Sequence, residues 1–171
     1  MKEKYFKSQK LRFEDSMLVS CIEISPLVSD VMIDVRLFEK NTNGDLIEKS
    51  WIMTEFKDFQ NKIQFVDLYS YDKSKGYSSL AASILIELYK EIIEPILINN
   101  TICFGKLSSN GDENPQEKHK KRKIFWSELG FNVADGEYYD DPSMRNHLIN
   151  LKISPLSRKV TNDFFQLSKY K

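Results

Sequence analysis

Hydrophobic and polar positions follow two regimes along the chain, and the boundary between them is Gly76. Before it, apolar residues come in short β-branched runs. Met17 to Ile24 is nearly unbroken, and Val31-Met32-Ile33-Asp34-Val35-Arg36-Leu37-Phe38 alternates from Ile33 onward, which predicts two neighbouring strands. Asn41-Thr42-Asn43-Gly44-Asp45 is a dense turn cluster, and Leu46 to Phe56 resumes a strand-like pattern, so a hairpin is expected. Lys62 to Tyr69 gives a fourth strand, with Ile63, Phe65, Asp67 and Tyr69 on one face and Gln64, Val66 and Leu68 on the other.

From Gly76 the period becomes helical through about Ile93. Ser79, Ser83, Glu87, Lys90 and Glu91 gather on one side while Leu80, Ile84, Leu85, Leu88, Tyr89 and Ile92 fill the rest, which predicts a largely buried helix. Pro95 limits it, and Thr101 to Leu107 follows as a strand, so strand, helix and strand form a β-α-β unit with parallel strands. Gln116 to Leu129 reads as a second helix, apolar only at its end, with Gly130 placed to stop it. Phe131 to Val133 and His147 to Ile153 are the last expected strands, on either side of the acidic loop Asp135 to Asp141. A short helix is expected near Asp163 to Tyr170. The whole reads as one α/β domain over residues 1–171, with a core from about 17 to 153 and a tail from 154 to 171.

Composition narrows the function. The chain is 41% apolar and 12% aromatic, enough for a substantial core. Lys plus Arg and Asp plus Glu are 25 each, so there is no net pull toward polyanions and nucleic acid is disfavoured as a partner. The basic run Lys118-His119-Lys120-Lys121-Arg122-Lys123 reads as a solvated helix face, with contact to a ligand phosphate or a local nucleic-acid patch as the sharper alternative. The two cysteines, Cys21 and Cys103, lie in separate apolar runs, and Cys103 reads as a core residue. The first residues are too charged for a signal peptide and no apolar run approaches the roughly 20 residues of a membrane span, so a cytoplasmic protein without membrane contact is expected. No metal-binding pattern is present.

Leu68-Tyr69-Ser70-Tyr71-Asp72-Lys73-Ser74-Lys75-Gly76-Tyr77-Ser78-Ser79 is the most informative stretch, because it joins a strand directly to the buried helix. The unpaired N–H groups and the positive end of the helix dipole suit phosphate or pyrophosphate, and Gly76 permits close approach. Lys73 and Lys75 add positive charge there. The plainer alternative is an ordinary loop in which Ser78 or Ser79 caps the helix.

Lys73-Ser74-Lys75-Gly76-Tyr77-Ser78 resembles the Gln/Arg-x-x-Gly-x-Gly/Ala acyl-CoA motif of the GNAT family of N-acetyltransferases. Phe125-Trp126-Ser127-Glu128-Leu129-Gly130-Phe131 is similar to that family's second signature, an aromatic pair followed by Leu-Gly-Phe. The resemblance covers about Met17 to Ile153. It implies a GNAT-like fold, a mixed and mostly antiparallel sheet splayed between its fourth and fifth strands with helices packed on it. It also implies acetyl-CoA as co-substrate and transfer of its acetyl group to an amine of a small molecule or protein, by direct attack in a ternary complex. Carried over by position, Lys73, Ser74, Lys75, Gly76, Tyr77, Ser78 and Ser79 would bind the pyrophosphate and Leu68 and Ser70 would face the pantetheine arm. A backbone N–H near Leu68 would hold the oxyanion.

The sequence also departs from the family. Lys73 stands for Gln or Arg, Ser78 for Gly or Ala, Lys62 where some members carry a glutamate base, and Trp126 where a tyrosine acid is frequent. Indole cannot protonate a leaving thiolate. Asp67, Glu55 and His147 are the alternative bases, and Tyr138 or Tyr139 could reach the thiolate. Only Ser25 to Asp30 stands where the family has two helices. The missing wall of the acceptor site would then come from the N-terminal segment, the tail or a second subunit, which leaves room for a homodimer. The competing function is a catalytically silent GNAT-fold binding or interaction module.

Overall fold

The computed structural model of the chain describes residues 8–14, 17–71, 76–107, 115–134 and 144–152. Five strands come first: β1 (Gln9–Glu14), β2 (Leu18–Pro26), β3 (Asp30–Lys40), β4 (Leu46–Lys57) and β5 (Lys62–Ser70). Helix α1 (Tyr77–Ile92), the short α2 (Pro95–Ile98), β6 (Ile102–Gly105), α3 (Pro115–Glu128), β7 (Asn132–Val133) and β8 (Met144–His147) follow. The strands form one mixed sheet in the order β1-β2-β3-β4-β5-β6-β8-β7. Every adjacent pair is antiparallel except β5 and β6, which the α1 crossover makes parallel.

Alternation of side chains builds the core. Ile22, Ile24, Ile33, Val35, Ile52, Thr54, Phe56 and Ile63 are buried on one face of β2 to β5, and α1 packs against β3, β4 and β5. Eleven residues of α1 are buried, Ser79 and Ser83 among them, although both fall on its polar side by sequence. Both are small, and the Ser83 hydroxyl turns back to the Ser79 carbonyl at 2.7 Å, so burial leaves its donor satisfied. The helix ends at Ile92 because Glu94 must be extended ahead of Pro95.

Three expectations need correction. β1 is a strand that the charge of the N-terminal segment conceals. Lys10 and Arg12 lie on its exposed positions, paired with Glu23 at 3.3 Å and Glu14 at 3.0 Å, a pattern compatible with an edge strand. It makes the predicted fourth strand β5. The last strand is Met144–His147, not His147 to Ile153. Past His147 the chain coils through Leu148–Asn150, where the Leu148 N–H reaches the Thr101 carbonyl at 2.8 Å and Leu148 and Leu151 are buried. The expected faces of β5 hold only for its first half, because an irregularity in its pairing with β4 follows Phe65. The predicted tail helix lies outside the described residues.

Candidate active site

The parallel pair of β5 and β6 is pinned at one end and open at the other. At the pinned end Asn61 adopts a left-handed conformation (φ 49°). Its carbonyl accepts the Ile102 N–H at 3.2 Å and its side-chain oxygen accepts the Thr101 hydroxyl at 2.9 Å. Pairing then runs from Lys62 opposite Ile102 to Phe65 opposite Gly105 and stops, while β5 continues to Ser70 along β4 alone. At Gly105, in the last pair, a Cβ would collide with Met144 Cε and lie 3.0 Å from the Phe65 carbonyl, so only glycine fits there without displacing them.

A β-bulge sits at the parting. Thr54 opposes Phe65 and Met53 opposes Asp67, leaving Val66 as an extra residue in β5. Side-chain parity therefore reverses. Ile63 and Phe65 share the α1 face with Leu68 and Ser70, which stand opposite the buried Ile52 and Ser50, whereas Asp67 and Tyr69 join Met53 and Trp51 on the other face. This overturns the grouping of Asp67 and Tyr69 with Ile63 and Phe65. An Asp in phase with two buried apolar residues was the one sequence sign of the extra residue.

The Tyr71 N–H donates to the Lys49 carbonyl at 3.0 Å, so by antiparallel alternation Tyr71, Tyr69 and Asp67 are the positions hydrogen-bonded to β4. Leu68 and Ser70 direct their backbone N–H and C=O groups the other way, into the gap left by β6. There the Leu68 N–H donates to Asp67 Oδ1 at 2.8 Å.

The gap leads to the N-terminus of α1. Gly76 precedes the helix with φ 80°, no side-chain hydrogen bond from the described residues caps it, and a Cβ at Gly76 would meet nothing within 4 Å. The alternative of a Ser78 or Ser79 cap is not what the structure has: Ser78 and Ser79 lie within the first turn. Ser50, unnoticed in the sequence, ties this end together, its hydroxyl 2.9 Å from the Tyr69 carbonyl and 3.5 Å from Ser78 Oγ. Lys73, Ser74 and Lys75 lie outside the described residues.

The candidate bases separate clearly. Asp67 is exposed beside Leu68. Glu55 lies on the same face two residues from Met53, roughly 7 Å along the strand, but its carboxylate is held by Lys57 at 2.5 Å. Lys57 also bridges to Asp30 at 3.2 Å. Its hydrogen bond to Glu55, ahead of that to Asp30, raises its pKa against the opposing effect of burial. His147 pairs with Ile102 at the pinned end, three residues from Gly105, so it does not face the gap. Lys62 donates to Gln60 at 3.2 Å. Trp126 is buried edge-on to Phe65 and Phe131, with ring centroids 5.5 and 5.3 Å away, so this residue is part of the core. Tyr138 and Tyr139 lie outside the described residues.

Two other features lie away from the gap. The outer face carries Trp51, whose indole N–H donates to Asp34 at 2.8 Å beneath the Arg36 guanidinium. An open hollow along α3 is lined by His119, Lys120, Lys123, Ile124, Ser127 and Glu128, and shares no residue with β5 or α1. Because one helix supplies all of it, it is a surface groove. Beyond it on the helix, Lys121 pairs with Glu117 at 2.7 Å in solvent.

No protein family model matches the chain, and neither does any curated protein sequence. Among solved structures it is similar to the crystal structure of nourseothricin acetyltransferase, with a TM-score of 0.38 and 10% identity over 83% of this chain and 89% of that one. A likeness of that size carries no argument by itself. Among the described residues no helix is long and apolar enough to cross a membrane.

Proposed function

We propose that the chain has a GNAT-like fold and is an N-acetyltransferase, moving the acetyl group of acetyl-CoA to an amine of a small molecule or protein. The observation that carries this reading is the gap between β5 and β6, where the Val66 bulge and the end of pairing at Gly105 turn the backbone of Leu68 and Ser70 away from β4, past the last residue that pairs with β6. An extended chain of amides can add to such an edge as a strand would, which suits the pantetheine arm. The gap ends at a helix N-terminus with free space over Gly76, which suits a pyrophosphate. Lys73, Ser74, Lys75, Gly76, Tyr77, Ser78 and Ser79 would hold it. The two GNAT-like signatures, Lys73 to Ser78 and Phe125 to Phe131, support the same reading.

In this reaction the acceptor nitrogen attacks the thioester carbonyl carbon. The C–N bond forms while the Leu68 N–H holds the carbonyl oxygen, and the C–S bond breaks with CoA leaving as thiolate. Asp67, the carboxylate beside Leu68, takes one proton from the acceptor ammonium before attack, leaving the free amine whose lone pair forms the bond, and the second N–H proton is lost as the tetrahedral intermediate collapses and goes to the departing thiolate or to solvent. Glu55 is engaged by Lys57 and Trp126 has no acidic proton to give.

Calorimetric titration with acetyl-CoA and CoA tests the proposal. Micromolar binding, about −8 kcal/mol, weakened at least tenfold by Gly76→Trp in a variant that still folds, is the expected result. No binding up to millimolar concentration rejects it. The buried Trp126 and the Lys57-bound Glu55 favour a second reading, a catalytically silent binding module. CoA binding without thiol release across a panel of amines would decide for it.

A further inference from the structure

We infer that Asp67 is a displaceable cap on the Leu68 N–H, so that the thioester carbonyl must compete with a carboxylate of the protein for its own oxyanion donor; this rests on the acyl-CoA reading above. Three observations lead there. The Leu68 N–H points away from β4, and pairing with β6 ends at Phe65, so no strand carbonyl among the described residues receives it. The carboxylate of the preceding residue takes it instead, at 2.8 Å. Asp67 itself is exposed and, among the described residues, forms no ion pair that would hold it in place, unlike Glu55 two positions along β4 from its partner Met53.

One N–H offered to two acceptors has a definite consequence. A thioester oxygen can reach Leu68 only if Asp67 rotates off, whereas CoA, which ends in a thiol and has no carbonyl there, leaves the cap undisturbed. The cap thus weakens acetyl-CoA relative to CoA. Rotation has a second effect: it frees a carboxylate one residue from the reacting carbonyl at the moment the acyl group arrives. That carboxylate then attracts the acceptor ammonium and takes its proton. Base and acyl donor become available together, and the base is occupied when the acyl group is absent.

The test compares the full chain with Asp67→Ala and Asp67→Asn, titrated with CoA and with acetyl-CoA. Asp67→Ala is expected to tighten acetyl-CoA about fivefold to tenfold and to change CoA less than twofold. Asp67→Asn, whose amide oxygen still accepts from the Leu68 N–H, is expected to stay near the unaltered protein. Without ligand, amide exchange at Leu68 should be slower in the unaltered protein than in Asp67→Ala. If CoA binds all three but the acetyl-CoA to CoA affinity ratio is the same in each, the cap is wrong and the acyl-CoA reading survives. If none binds either ligand, the acyl-CoA reading itself fails and the inference falls with it. Equal Leu68 exchange in the two proteins overturns the cap whatever the ligands do.

Discussion

The hydroxyls of Tyr89 and Thr54 lie 2.8 Å apart in the core, joining the last turns of α1 to the middle of β4. Thr54 is also 3.3 Å from the Ile33 carbonyl, an acceptor only, so Thr54 donates to Ile33 and Tyr89 donates to Thr54. Burial pushes the Tyr89 phenol well above the usual tyrosine range, which keeps it protonated and a donor. Thr54→Val therefore strands a buried donor and should cost about 1–3 kcal/mol, while Tyr89→Phe removes the donor itself and should cost less. Urea unfolding of both variants checks the order; a larger loss for Tyr89→Phe would reverse the assigned direction.

Lys57 predicts an alkaline effect. Its pKa is raised above the ordinary lysine value by Glu55 and then Asp30, so the proton is bound more tightly in the folded chain than in the unfolded one. The resulting stabilisation is fully present below the ordinary lysine value and is lost as pH rises through the raised one. Lys57→Met should therefore narrow its stability gap to the unaltered protein above about pH 10.5, the usual lysine value. Thermal unfolding at pH 8 and above pH 10.5 measures that difference, and a gap that does not change with pH contradicts it.

Gly130 and Gly44 both have positive φ, 90° and 87°, but only Gly130 is crowded. A Cβ there would lie 2.8 Å from the Asn150 carbonyl oxygen, whereas at Gly44 it would meet nothing within 4 Å. Gly44→Ala should cost about 1 kcal/mol, the left-handed backbone alone, and Gly130→Ala roughly twice that or more. Chemical denaturation of the two variants should separate them.

Cys103 is fully buried in β6 and burial pushes its thiol far up, while Cys21 is half-buried and both are free. A thiol reagent should therefore label Cys103 only when the protein unfolds. Peptide mapping after brief native labelling would show Cys21 alone modified, and early modification of Cys103 would contradict its burial.

What could be read from the sequence followed directly from side-chain periodicity. β2 to β5 and α1 are visible because each buries one face or nearly all of its surface, and the Asn41 to Asp45 turn because Asn41 Oδ1 receives the Asn43 and Asp45 N–H groups at 2.9 Å each. β1 stays hidden because its exposed positions are charged, and β8 because four residues are too few to show a period. The site was legible in part. Gly76 was singled out at the strand-to-helix junction and Leu68 and Ser70 only through the family resemblance, while the bulge at Val66 could not be placed, since strict alternation has no symbol for an unpaired residue. Asp67 was named as a base without its contact to Leu68, a contact set by side-chain rotation that no spacing encodes.

The strand order also has a consequence for the sequence of events during synthesis. From β1 to β5 each strand pairs with the one made just before it, so this meander can form with short loop closures as the chain emerges. Its apolar face, carrying Ile33, Val35, Ile52 and Phe56, stays uncovered until α1 has been made, and β6 cannot dock beside β5 earlier. The gap between those two strands is therefore the last part of the sheet's centre to take shape. A nascent chain stalled before residue 92 would be a sticky half-sheet in which the opening beside β5 does not yet exist.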